Sequence, residues 1–187
     1  MSQTYTSGIA SAKLQSDCVV SFTPTDSGAP EIVLRSKVAA LYGRSIRALA
    51  EKTLADLKIA HGKLEIEDAG ALPFVISARI EAAVKMANPE LNLESLPERE
   101  AHTQYHSSRE KFRRSRLYLP GNQPKLMLNA GLHKPDGIIL DLEDAVALAE
   151  KPSARLIVRN ALRVLDFFGA EKMVRINQGA RGGIAGD

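Results

Sequence analysis

Residues 37–67, KVAALYGRSIRALAEKTLADLKIAHGKLEIE, change hydrophobic period part-way, and that change decides how the first half of the chain is read. Val38, Tyr42, Ile46, Ala50, Leu54 and Leu57 recur at steps of three or four, which lines them along one side of a helix. Gly62 lies just beyond its end. From Lys63 to Glu67 the spacing falls to two: Leu64 and Ile66 alternate with Lys63, Glu65 and Glu67, as in a strand with one buried and one wet face.

Upstream, Val19–Thr23 and Glu31–Arg35 read as strands separated by the turn-rich PTDSGAP of residues 24–30, which predicts a hairpin with a long loop. Downstream, Leu72–Ser77 reads as a further strand, joined to Lys63–Glu67 by a tight turn at Asp68, Ala69 and Gly70. A second helix then carries Ile80, Ala83, Val84 and Ala87 on its apolar side and stops near Asn88 and Pro89. The expected first domain, 1–88, is therefore α+β in the order β-β-α-β-β-α: two hairpins covered by two helices.

Residues 89–112 keep neither period and are expected to form a linker. Beyond them strands and helices alternate: Arg116–Leu119, Gln123–Ala130, Gly137–Asp141, Pro152–Phe168 and Lys172–Ile176. Such alternation predicts parallel strands with helical crossovers, and Pro152 suits the first turn of its helix. A closed (β/α)₈ barrel takes about 250 residues, so 113–187 is expected to be an incomplete α/β segment with too few strands to close. The Gly-rich Gln178–Asp187 reads as a connection to something further.

The chain is 44% hydrophobic and 25% charged, an ordinary composition for a soluble protein. Its apolar runs fall far short of the roughly 20 residues that span a bilayer, and residues 1–13 lack the pattern of a secretory signal. A cytosolic protein is expected, in keeping with a single cysteine, Cys18, read as a small apolar filler. The net charge of +3 arises at Arg109, Lys111, Arg113, Arg114 and Arg116, read as a solvated hinge. With no Trp and no recognised motif, nucleic acid binding is not expected. His102 and His106 are taken as unstructured linker residues, not a metal pair.

Three stretches of the first half, SAKLQSDCVVSFTP (11–24), SKVAALYGRSIR (36–47) and IEDAGALPFVISARIEAA (66–83), together resemble the acyl carrier protein of citrate lyase. That resemblance implies a serine carrying a phosphoribosyl-dephospho-coenzyme A arm through a phosphodiester, attached by a separate prosthetic-group transferase. The matching residue is Ser16, preceded by Leu14 and Gln15. The family's usual glutamate before the serine is Gln15 here, and the nearby aspartate, Asp17, stands one place earlier than usual. A carrier serine is expected to be accessible, on a mobile stretch and without a general base beside it, because an external enzyme makes the bond. The reactive thiol then belongs to the arm and not to Cys18.

In the second half, RRSRLYLPGNQPKLM (113–127), PDGIILDLEDAVALAEKPSAR (135–155) and EKMVRIN (171–177) resemble the start of the citrate lyase β subunit and the related aldolases built on a TIM barrel. That family cleaves a citryl thioester to oxaloacetate and an acetyl thioester with help from Mg²⁺. A retro-aldol cleavage needs a base for the tertiary hydroxyl and a cation for the enolate oxygen. The resemblance implies Asp141, Glu143, Asp144 and Arg175 as site residues, with Glu143 and Asp144 as metal ligands. Asp141 and Glu143 are expected on one side of the strand end, Asp144 in the following loop, and Arg175 as a grip for a substrate carboxylate. Three acids before a helix are also good helix-start chemistry, and Arg175 is open to reading as a paired surface arginine.

Three readings of the whole chain follow. It is an acyl carrier that works in a hetero-oligomer with the α and β subunits of citrate lyase. Alternatively it is a citryl-thioester lyase, if the chain continues. The third is an inactive scaffold fragment.

Overall fold

The computed structural model describes residues 3–10 and 15–177, so the expectations for Leu14 and for Gln178–Asp187 lie outside the described residues. The chain divides into two units, Met1–Leu96 and Pro97–Asp187.

In the first unit the strands are β1 (Tyr5–Ser7), β2 (Cys18–Thr23), β3 (Glu31–Ser36) and β4 (Lys63–Asp68), and the helices are α1 (Ala39–Asp56) and α2 (Pro73–Ala87). The α+β class holds, but the order is β-β-β-α-β-α and the sheet runs β1-β2-β4-β3. No β2–β3 hairpin forms. Instead β4 lies between them, antiparallel to β2 and parallel to β3, with α1 as the crossover between the parallel pair. Strand β1, too short and polar to show an apolar period, pairs antiparallel with β2 at the sheet edge.

The expected strand at Leu72–Ser77 is the opening of α2. Phe74, Val75 and Ile76 are all buried, and a short apolar run has the same appearance in a buried helix and a buried strand. Pro73 settles the choice by sitting in the first helical turn, where no donor is needed. Cys18, Val20 and Phe22 of β2 and Leu64 and Ile66 of β4 pack with Ile46, Ala50 and Leu54 of α1 and Ile76, Ile80 and Val84 of α2. Each such side chain contributes about 1.5–3 kcal/mol when fully buried.

The expected linker is divided between the units, residues 89–96 belonging to the first and 97–112 to the second. Leu91 and Leu93 pack on the first core, the Ser95 amide donates to Glu81 Oε2 (3.1 Å), and its hydroxyl donates to Asp56 Oδ2 (2.8 Å). In the second unit the Glu100 amide donates to Arg163 O (2.9 Å), and His102 sits in a single 3₁₀ turn with Nε2 3.0 Å from Val164 O. Tyr105 donates to Ala170 O (2.7 Å), and the Lys172 ammonium stands 4.4 Å from the Tyr105 ring centroid. In the basic run Arg113 pairs with Glu171 through two nitrogens at 2.5 and 2.9 Å and Arg114 lies over the Phe112 ring, while Arg109, Arg114 and Arg116 are exposed to solvent. Apolar periodicity carries no trace of this stretch because polar groups hold most of it.

The second unit follows its predicted alternation closely, with β5 (Arg116–Pro120), α3 (Pro124–Ala130), β6 (Gly137–Asp141), α4 (Lys151–Val164) and β7 (Glu171–Arg175). The three strands form a parallel sheet in chain order, β5-β6-β7. Gly121 follows β5 and donates its amide to Asp141 O (2.8 Å); a Cβ there would stand 2.9 Å from that oxygen, so only glycine permits the approach. Among the described residues no helix is long and apolar enough to cross a membrane.

Candidate functional site

Ser16 is half-buried, two residues before the start of β2, and adopts φ 54° in the left-handed region. Its amide donates to Ala69 O (3.2 Å), and the Ala69 amide returns a bond to Asp17 O (3.1 Å). The serine is thus tied by its backbone to the turn after β4. That turn is held by one side chain: Asp68 Oδ1 accepts from the amides of Gly70 (3.0 Å) and Ala71 (2.7 Å), while Oδ2 accepts from the Ser36 hydroxyl (2.5 Å). Gly70 takes φ 82°, a conformation that suits glycine.

On the other side of the serine, Asp17 is buried against Arg79 of α2. Nε donates to Oδ1 (3.1 Å) and Nη2 to Oδ2 (2.7 Å), and Oδ1 also accepts the Cys18 amide (2.8 Å). The carboxylates of Asp17 and Asp68, which flank the loop, are both committed to holding it and leave the Ser16 hydroxyl to be activated from outside. Cys18 is fully buried, and burial followed by the Asp17 charge pushes its thiol pKa well above the ordinary value.

Sequence reading missed the Asp17–Arg79 pair and the clamp by Asp68. The signal was present in the motif order, since the serine stretch, the Asp-Ala-Gly turn and the Ala-Arg helix are the three pieces that meet. Nothing in hydrophobic spacing could join them.

The second cluster lies at the carboxyl ends of β6 and β7, where Asp141 and Arg175 are paired in register. Arg175 Nη1 is 3.2 Å from Asp141 Oδ2, Nη2 is 2.8 Å from Asp144 Oδ2, and Nη2 also contacts Glu143 Oε2. All four predicted residues therefore meet, but Glu143 and Asp144 both lie beyond the strand, and the arginine is engaged by the chain's own acids. Burial works against the Arg175 charge; the hydrogen bond to Asp144 and the charges of Asp141, Glu143 and Asp144 outweigh it and raise the guanidinium pKa. Sequence reading also missed Lys151, whose ammonium donates to the carbonyls of Leu142 and Glu143 (both 2.9 Å) and to Asn177 Oδ1. Three carboxylates turned onto a guanidinium do not fit a divalent cation, and among the described residues no group of three or more His, Cys, Asp or Glu is placed to hold one.

Residues 9–87 match the acyl carrier family described as malonate decarboxylase delta subunit (MdcD). The citrate lyase acyl carrier protein of Clostridium perfringens (strain 13 / Type A) is 45% identical over 73 residues, covering 39% of this chain and 72% of that protein. That of Enterobacter sp. (strain 638) is 39% identical over 82 residues, 44% of this chain and 84% of that protein. The chain belongs to the citrate lyase acyl carrier protein family. Membership implies a covalently bound prosthetic group and a multi-subunit assembly. Residues 114–187 match the HpcH/HpaI aldolase/citrate lyase family. Here citrate lyase subunit beta of Leuconostoc mesenteroides subsp. cremoris is 48% identical over 68 residues, 36% of this chain. The chain spans 22% of the length of that relative. A citrate lyase carrier unit is thus followed in one chain by a segment of the lyase type.

Proposed function

We propose that Ser16 is esterified to a phosphoribosyl-dephospho-coenzyme A arm, and that the first unit presents acetyl and citryl thioesters on that arm within a citrate lyase assembly of α and β subunits. The observation that carries the reading is the construction around Ser16: a hydroxyl on a loop pinned from both sides, with each neighbouring carboxylate occupied. Such a loop offers an alcohol in a fixed place and leaves deprotonation to another enzyme. In the attachment step, Ser16 Oγ attacks the phosphorus of a phosphoribosyl donor activated as a polyphosphate. The new P–O bond forms as pyrophosphate leaves, and the hydroxyl proton passes to the transferase. When bound, the arm supplies the thiol that holds the acyl group; the protein supplies position.

The test is the intact mass of the 187-residue chain after coexpression with the prosthetic-group transferase and its donor supply, beside Ser16→Ala. The wild-type chain is expected to gain one arm and the variant none. Equal masses would overturn the proposal.

The register of Asp141 with Arg175 at the carboxyl ends of parallel strands supports a second role for the lyase-type segment, binding a carboxylate of the citryl group through Arg175. Its acids hold the guanidinium ready, and a substrate carboxylate would displace Asp144, whose side chain is 77% exposed.

A further inference from the structure

The carrier reading leaves a concavity of the first unit unused. Between α1 and the start of α2 lies an open groove of about 520 Å³ lined by Val38, Tyr42, Ile46, Leu49, Leu72 and Ile76. Ile46 and Ile76 are buried, whereas Tyr42 is 56% and Leu72 39% exposed, so an aromatic ring and an aliphatic side chain face water together. Gly70 and Ala71 also border the groove. They follow Ala69, whose carbonyl holds the Ser16 amide at 3.2 Å, so the groove begins one residue from the point where the serine is fixed. Lys37, an exposed cation between β3 and α1, donates its amide to Asp68 O (3.1 Å) at the start of that turn.

We propose that this groove shelters the adenosine portion of the arm on Ser16. The inference rests on the carrier reading and adds where the arm sits. Counting outward from the serine, a phosphoribosyl-dephospho-coenzyme A arm presents phosphate, ribose and adenosine first, then the diphosphate, and the pantetheine thiol last. The part within reach of the groove is therefore the flat aromatic base, and the groove offers it an exposed Tyr42 ring between aliphatic walls. Its volume lies within the roughly 300–1,000 Å³ of ordinary small-molecule sites. Lys37 supplies positive charge beside the phosphates nearest the attachment. Because the base is tethered, its effective concentration is on the order of millimolar, and a weak intrinsic affinity suffices. Docking the nucleoside leaves the pantetheine and its thiol to swing freely.

The experiment compares methyl and aromatic NMR spectra of the full chain with and without the arm, alongside intact mass. Shifts are expected at Val38, Ile46, Leu49, Leu72 and Ile76, with nuclear Overhauser contacts between adenine protons and the Tyr42 ring. Ser45 borders the groove from an exposed position. Ser45→Trp is expected to fill the space and abolish the shifts while the mass still shows the arm. A bare polypeptide mass at Ser16 would bring down the carrier reading and this inference with it. An arm present by mass over a groove whose resonances do not move would overturn the inference alone. So would resonances that move only when a citrate lyase α or β subunit is added, which would give the groove to a protein partner.

Discussion

Asp17 and Arg79, 62 residues apart, join in a two-pronged contact that lies almost entirely out of solvent, with Nε to Oδ1 at 3.1 Å and Nη2 to Oδ2 at 2.7 Å. Asp17 is the residue next to Ser16, and Arg79 belongs to the second turn of α2. Removing one member strands a buried charge, which costs about 3–5 kcal/mol. Arg79→Met is therefore expected to lower the urea midpoint of the first unit sharply, and Asp17→Asn with Arg79→Met together to recover part of the loss. A double change that is fully additive would show that the pair does not act as a unit.

The Asp68 clamp should act on the loop more than on the core. Asp68→Ala leaves the amides of Gly70 and Ala71 without their acceptor, a loss of about 1–3 kcal/mol. Arm attachment to Ser16 in that variant is expected to slow several-fold, measured as the rate of mass increase with the transferase. Unchanged attachment would mean that the turn does not position the serine.

Acid should loosen the second unit at the contacts of Asp136 and Glu171. Hydrogen bonds from Ser115 hold Asp136 below the ordinary carboxylate range, and the Arg113 hydrogen bond does the same for Glu171. Both folded values lie below the unfolded ones, so their stabilisation is present above the ordinary carboxylate range of about pH 4–4.5 and is lost as pH falls through the depressed values. Hydrogen exchange at the Arg114 and Ser115 amides should accelerate below that point. In Asp136→Asn it should already be fast at neutral pH.

Arg175→Met would leave Asp141, 4% exposed, facing Glu143 and Asp144 without a cation. A lower urea midpoint of the second unit is expected at low salt, with a smaller loss in high salt, which screens the repulsion among the three acids. A loss that salt does not change would mean that packing and not charge accounts for it.

Cys18 gives a simple check on the fold. Its burial and raised thiol pKa predict no reaction with a thiol reagent until the first unit unfolds, and full reaction in urea.

The second unit was legible almost element by element, because strands such as Gly137–Asp141 are buried runs and helix α4 has a clear apolar face. The first was legible in class but not in topology. Its two missed features have physical reasons: Phe74–Ile76 is apolar without a period, and the insertion of β4 between β2 and β3 depends on pairing that no local pattern encodes. Of the loop around Ser16, only the serine itself was singled out from sequence, through resemblance. Its supports, Asp17, Arg79 and Asp68, are polar contacts between distant positions, invisible to hydrophobic spacing.

The Ser95 bonds to Glu81 and Asp56, with Leu91 and Leu93 on the core, set where the first unit can be excised. A cut after the last turn of α2 would uncover apolar surface and leave the Glu81 carboxylate, which is fully buried, short of the Ser95 amide. Any recombinant carrier fragment should accordingly run through Leu96, and one ending at Asn88 should aggregate.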